Sequence, residues 1–360
     1  MTLRLSSAGE SHGPALVAIV SGLPAGLILD RQAIDGDLKR RQEGYGRSPR
    51  QQIEQDRIDV LAGLRRGRTL GTPLALVVRN NDHKNWTWGM APWPTDEEPT
   101  GKGTKAVTLP RPGHADLAGV LKYGHDDVRN SLERASARHT AVHVAAGSVA
   151  KALLATIGIT VTGSTVDEAG LRKNVDEARA ERDTVGGVVE VRATGAPPGL
   201  GSYATKEDRL DARLAFALMG IQAVKGVEIG DGFALAALRG SQAHDEIRTD
   251  RRRDTNHAGG IEGGMSNGEE IVVRAAMKPL PTLMKPLASV DLETGEAANA
   301  LVERSDVAAV EALAVVAEAC LAWELAAAAK EKFGGDAIVD LAAAWRAYLE
   351  RISWQAAPVK

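Results

Sequence analysis

Two histidines in this chain sit among residues that leave the backbone free to turn: His12 in Gly9-Glu10-Ser11-His12-Gly13 and His114 in Arg111-Pro112-Gly113-His114-Ala115-Asp116. Flanking glycines permit tight turns and close approach of a ligand. Imidazole, with an unperturbed pKa of about 6.5, gives or takes a proton near neutrality. Two such sites imply two protonation tasks. The first motif also fits the G-x-S-x-G pattern of a hydrolase nucleophile elbow. That elbow needs a strand, turn and helix deep in an α/β sheet, with an acid and a histidine downstream, whereas Ser11 follows at most one short strand. A serine hydrolase on this motif is therefore the weaker reading.

Arginines are bunched near the first motif. Lys39, Arg40, Arg41, Arg47 and Arg50 form one cluster, Arg65, Arg66 and Arg68 a second, and Arg251, Arg252 and Arg253 a third. Charge runs are usually solvated faces, but arginines around the Gly44-Tyr45-Gly46 turn suit a small anion, because a planar guanidinium pairs phosphate or carboxylate in two-pronged fashion. The whole chain is near neutral, with 44 Lys and Arg against 47 Asp and Glu. Neither this balance nor the sparse aromatics favours nucleic acid as a partner.

The elements that must carry these groups are legible in outline. Leu16 to Val20 reads as a buried strand, Gly22 to Gly26 as a turn, and Asp30 as the cap of a helix through Gln42. Ile58 to Leu61, Leu74 to Val78 and Ile271 to Met277 read as further strands. Helices are expected over 138–156, over 207–219, from Asp306 to near Gly334-Gly335, and over 337–351. Gly259 to Gly268 reads as a glycine-rich loop. Strands and helices group without regular βαβ alternation, which favours an α+β layered fold over a doubly wound sheet. The turn Gly195 to Gly199 with its following helix echoes Gly22 to Gly26 and its helix, so two related halves are expected, with a boundary near 160–190 inside a single domain spanning 1–360. The 360 residues bury a full core without a staple. The single cysteine, Cys320, is expected in that core and permits no intrachain disulfide, which points to a reducing cytoplasm. The N-terminus lacks a signal-like apolar stretch and no 18-residue uncharged apolar segment occurs, so no membrane partner is expected.

With GESHG, RPGHAD, Arg134-Ala135-Ser136-Ala137-Arg138, the segment Gly220 to Gly230, the Gly259 to Gly268 loop and Met277-Lys278-Pro279-Leu280-Pro281-Thr282 in this order, residues 3 to 335 resemble the chorismate synthase family. The resemblance implies a βαβ sandwich of two antiparallel sheets enclosing helices, a cytoplasmic homotetramer, and bound reduced FMN. It implies a carbon–oxygen lyase of the shikimate pathway, in aromatic amino acid biosynthesis. The reaction would be an anti 1,4-elimination of phosphate from 5-enolpyruvylshikimate 3-phosphate to give chorismate, without net redox change.

By match to the family motifs, His12 would be the general acid toward departing phosphate, His114 would stabilise the reduced flavin at its pyrimidine edge, and Asp306 would assist proton removal. Arg41 and Arg47 match substrate-binding arginines. Arg134, Ala135, Ser136, Gln222, Ala223, Gly263, Lys278, Pro279, Leu280, Pro281, Thr282 and Arg304 match FMN-contacting segments, and no metal is implied. Asp306 also suits a helix cap. One departure is visible: His139 stands where family members commonly carry glutamate, so a local charge is removed or reversed. Bifunctional members add an NADP-linked flavin reductase activity. This chain has no G-x-G-x-x-G nicotinamide fingerprint, so an external flavin reductase or other source of reduced FMN is expected. A flavin- or phosphometabolite-binding protein without catalysis is the remaining alternative.

Overall fold

A computed structural model describes residues 2–48, 55–94, 96, 98–302 and 306–353; Arg50 and Arg304 lie outside the described residues. The first half runs β1 (Arg4–Ala8), β2 (Ala15–Ser21), α1 (Arg31–Gln42), β3 (Ile58–Ala62), a short ribbon of β4 (Leu64–Arg65) and β5 (Arg68–Thr69), and β6 (Leu74–Arg79), followed by α2 (Asp116–Tyr123), α3 (Arg129–Ala135) and α4 (Thr140–Ala155). The second runs β7 (Thr160–Thr165), α5 (Glu168–Glu181), β8 (Gly187–Thr194), α6 (Leu210–Met219), β9 (Val224–Ile229), the one-turn α7 (Gly240–Ala243), a ribbon of β10 (Ile261–Glu262) and β11 (Met265–Ser266), then β12 (Ile271–Met277). A last ribbon of β13 (Ala288–Val290) and β14 (Ala297–Asn299) precedes α8 (Val310–Phe333) and α9 (Ile338–Ile352).

Two four-stranded antiparallel sheets result, ordered β1-β2-β6-β3 and β7-β8-β12-β9. In each, the first two strands are neighbours, a helix follows the second, and the fourth inserts between second and third. This shared order is the structural form of the echo between the two G-x-P-x-G turns. Alternation sets the inward face of β2, where Leu16, Ala18 and Val20 are fully buried. The helices lie between the sheets: α4 packs on β2 and β6, α8 on β7 and β8, and α4 and α8 pack on each other, with α1 against both.

That middle layer explains the composition of its helices. α8 is alanine-, valine- and leucine-rich on all sides, and a helix apolar all round belongs in a core. It is long and apolar enough to cross a membrane, but its surface is covered by the protein itself. Gly147 of α4 lets the two helices approach, since a Cβ there would lie 2.4 Å from Ala319 Cβ. Cys320 packs against this core, where burial pushes its thiol up to about 12.

Four local expectations are revised. The helix expected from 207 begins at Leu210, because Asp208 is taken by the Thr205 hydroxyl and by a backbone bond to Ser202, and Leu210 N donates to Gly264 O. Asp306 does not cap α8, which starts at Val310; Val307 N donates to Gly46 O, holding the segment against the Gly-Tyr-Gly turn. The stretch over 138–156 divides into a 3-10 turn, Ala137–His139, and α4. The glycine-rich stretch from Gly259 contains the β10–β11 hairpin, whose turn residues Gly263 and Gly264 both have positive φ, as a tight two-residue connection demands. Asp30 does cap α1, accepting from Gln32 N at 2.9 Å.

Candidate active site

A cavity of about 300 Å³ opens where the two halves meet. The β1–β2 turn contributes Ser11 and His12, the end of α1 and its following turn Arg41, Arg47 and Ser48, and the approach to α2 Arg111 and His114. The segment entering α4 adds Ser136 to Arg138 and Thr140. From the second half come Gln222, Leu280, Pro281, Thr282, Asp306 and the first turns of α8. The N-terminal ends of α4 and α8 therefore both face it, and helix N-termini favour anions.

Most of the positive charge on the wall is held by carboxylates behind it. Arg41 donates from Nε to Thr140 Oγ1 at 2.9 Å, from Nη1 to Asp56 at 3.2 Å, and from Nη2 to the carbonyl oxygen of Ala137 at 3.2 Å. Arg138 shares Asp56 at 2.6 and 2.7 Å and reaches Asn80 from Nε at 2.9 Å. The Asp56 side chain is fully buried, so it anchors both guanidinium groups from outside the cavity. Burial, opposed by Asp56 and reinforced by neighbouring Arg138 and Arg47, pushes Arg41 down to about 10, which leaves it charged at neutral pH. Arg47 pairs with Asp306 at 2.9 Å, and the other Asp306 oxygen accepts from Ser48 N at 2.7 Å. Arg47 Nε is buried with no acceptor among the described residues, a donor that an anion would satisfy.

Both histidines rest on buried carboxylates. His12 Nδ1 lies 2.8 and 3.0 Å from the Glu133 oxygens, its backbone N donates to the same carboxylate at 2.8 Å, and its ring stacks on Trp86 at 4.1 Å. His114 Nδ1 bonds Asp116, which also accepts from Arg111 N, Nε and Nη2 at 3.0, 2.9 and 3.2 Å. Arg111 continues to the Thr282 hydroxyl at 3.0 Å, joining the RPGHAD loop to the Met277–Thr282 segment. Burial raises the Asp116 carboxyl, but the His114 and Arg111 bonds outweigh it and hold the group well below the usual carboxylate range.

The cavity thus brings together His12, His114, Asp306, Arg41, Arg47, Ser136, Gln222, Leu280, Pro281 and Thr282. Other anticipated residues stand outside its lining. Arg134 donates to the carbonyls of Gly9 and Ser7, Ala223 O accepts from Lys278 N, Lys278 Nζ bonds Gly113 O, and Gly263 turns the β10–β11 hairpin. Ala135 ends α3 and Pro279 precedes the Leu280 wall. Of the basic clusters only the first reaches the cavity; Arg65 and Arg68 pair on the β4–β5 ribbon, Arg251 binds the carbonyls of Ile352 and Ser353, and Arg253 pairs with Glu262.

No pattern in the sequence assigns a role to Arg111, Arg138, Asp56, Asp116, Glu133 or Trp86. Arg111 and Asp116 stand inside RPGHAD and Arg138 closes the Arg134-Ala135-Ser136-Ala137-Arg138 segment, the one signal for them in the sequence. His139 resolves to a neutral ring: burial, with His143 and Arg134 adding, pushes it down to about 3, so the local charge is removed rather than reversed. It meets His143 edge-on at 4.6 Å. Ser11 lies in a β-hairpin turn with its hydroxyl accepting from Ser136 at 3.2 Å, not on a strand-to-helix elbow.

Comparison with known proteins decides the family. A sequence-family model described as chorismate synthase matches residues 3–329. The chain belongs to the chorismate synthase family. Curated relatives with that name include one from Desulforudis audaxviator, 52% identical over 97% of this chain and 98% of its own, and one from Pelobacter propionicus, 50% identical over 97% and 99%. A solved structure titled Crystal Structure of Chorismate Synthase superposes with a TM-score of 0.78 at 35% identity, covering 98% of this chain and 99% of the other. Membership in the chorismate synthase family makes the chain a lyase and agrees with the α+β sandwich. It disfavours both the hydrolase reading and the non-catalytic one.

Proposed function

We propose that the cavity binds 5-enolpyruvylshikimate 3-phosphate beside reduced FMN and eliminates phosphate across the ring in the anti 1,4 sense to give chorismate. The observation that carries this reading is one cavity wall holding two carboxylate-backed histidines and four arginines, Arg41, Arg47, Arg111 and Arg138, at the N-termini of two helices. The donor set fits two phosphorylated, carboxylate-bearing or flavin-type anions, with the acceptorless Arg47 Nε as direct support. Bound reduced FMN supplies reversible electron donation to the ring that loses phosphate, leaving no net redox change.

The protein's part is binding, orientation and proton placement. Arg41 and Arg47 hold the substrate anions. His12 gives its Nε2 proton to the departing phosphate, which leaves more readily as the protonated species. His114, held by Asp116 and Arg111, would offer a fixed imidazole that stabilises the reduced flavin, and Asp306 would assist removal of the ring proton. Ser136, Gln222 and Leu280 to Thr282 would form the flavin wall, with Arg134, Ala135, Ala223, Gly263, Lys278 and Pro279 as supporting segments; Arg304, outside the described residues, rests on its match to the family motif alone. The apolar walls from Leu313 and Val316 keep water from the reacting bond.

Because both halves line one cavity, the reading takes the chain as one catalytic domain. Exposed Phe216, Met219 and Phe233 support its assembly as a homotetramer, and the cytoplasm with an external flavin reductase is its setting. An anaerobic assay with dithionite-reduced FMN tests the reading. Chorismate and phosphate appearing in equal amounts is the expected result, and substrate recovered unchanged would overturn it.

A further inference from the structure

Glu133 is 2% exposed, in a place where a carboxylate persists only if it is paired and hydrogen-bonded. Three of its contacts go to one residue: both oxygens to His12 Nδ1 and one to His12 N. Its nearest arginine, Arg129 one helical turn earlier, stands off at 3.8 Å. The ring is fixed on its face as well as its edge, since Trp86 stacks on it and Trp86 Nε1 is tied to buried Asp82 at 3.0 Å. Asp82 is itself held by Asn85 at 2.6 Å and Lys102 at 3.2 Å. The carbonyl of His12 accepts from His83 Nδ1 at 2.9 Å, which locks the backbone of the turn.

We propose that Glu133 is the positioning residue of the site: it fixes the tautomer and orientation of His12, so that proton transfer to the substrate runs through Nε2 alone. This rests on the reading of His12 as the general acid. A carboxylate bound at Nδ1 accepts the Nδ1 proton in both charge states of the ring. When the Nε2–H bond breaks and the phosphate O–H forms, the imidazolium becomes a neutral Nδ1–H imidazole, and Glu133 stays a carboxylate throughout. Asp82 and Trp86 have the subordinate part of setting the plane of the ring.

Glu133→Gln tests this, because glutamine keeps the shape but presents an NH2 that turns Nδ1 into an acceptor. With reduced FMN and substrate under anaerobic conditions, kcat falls at least about tenfold while KM changes by less than about twofold. In the ligand-free variant, 15N spectra of the His12 ring move the neutral-state proton from Nδ1 to Nε2, a change that mere loosening of the turn would not produce. Unchanged kcat in Glu133→Gln alongside a crippled His12→Ala overturns the positioning role alone. Unchanged turnover in His12→Ala overturns the acid assignment beneath it. Should Glu133→Gln not fold, the wild-type spectrum decides: a neutral His12 ring protonated at Nδ1 supports the proposal, and one protonated at Nε2 overturns it.

Discussion

His114 and His12 are two answers to one task, an imidazole held against a buried carboxylate. His114 takes its carboxylate from Asp116, two residues along, and shares it with Arg111, which donates to Asp116 through three nitrogens. His12 takes Glu133 from 121 residues away, and the nearest arginine is left at 3.8 Å. A carboxylate already neutralised by a guanidinium holds a ring in place but responds little to its charge. A carboxylate given over to one imidazole couples directly to the charge on that ring. The first arrangement suits a fixed contact beside a cofactor, the second a group that must change protonation in each turnover.

The largest effect expected from breaking this comparison is in the RPGHAD unit. Asp116→Ala leaves Arg111 buried without its carboxylate and should cost about 3–5 kcal/mol of stability. Urea unfolding measures it, and a loss under about 1 kcal/mol would mean that the Thr282 bond and solvent suffice for Arg111.

His12→Ala should act on rate instead. Turnover is expected to fall about a hundredfold, or about 2.7 kcal/mol in the barrier, with a smaller change in substrate affinity and an intact fold by circular dichroism. Near-normal turnover would remove the contrast between the two histidines altogether.

Arg47→Lys sharpens the contrast from the substrate side. Lysine keeps the charge facing Asp306 but lacks Nε and the flat fork, so substrate binding should weaken about tenfold with kcat less affected. Calorimetric titration of substrate into the variant checks this, and equal affinity would place Arg47 in a purely structural pair with Asp306.

The smallest effect at neutral pH is in the acid limb of stability. His139 in the folded protein titrates at about 3, below its ordinary value near 6.5, and His143 is lowered as well by burial. The unfolded chain therefore takes up these protons first. The contribution of these two groups is flat above pH 7 and falls as the pH drops through 6.5 toward 3, by at most about 1.4 kcal/mol per pH unit for each proton. Asp116 is lowered as well and acts with the same sign at lower pH: its contribution is present above the ordinary carboxylate value and is lost as the pH falls beneath it. His139→Gln should flatten the upper part of the limb and leave the lower part. A limb unchanged in that variant would assign the upper loss to other groups.

What the sequence determined was local. Asp30 as a cap, the strands at 16–20 and 271–277, and the closing of α8 at Gly334 follow from side-chain chemistry and alternation within a few residues. The order of the motifs carried the family, and with it His12, His114, Arg41, Arg47 and Asp306. Only the tertiary structure joined Glu133 to His12, Asp56 to both Arg41 and Arg138, and Asp306 to Arg47 instead of to the start of α8. Asp116 could be read beside His114 because two residues of loop bring them together. Glu133 could not be read beside His12, because that contact exists only where α3 meets the β1–β2 turn, and a buried carboxylate takes its partner from whatever the fold packs against it.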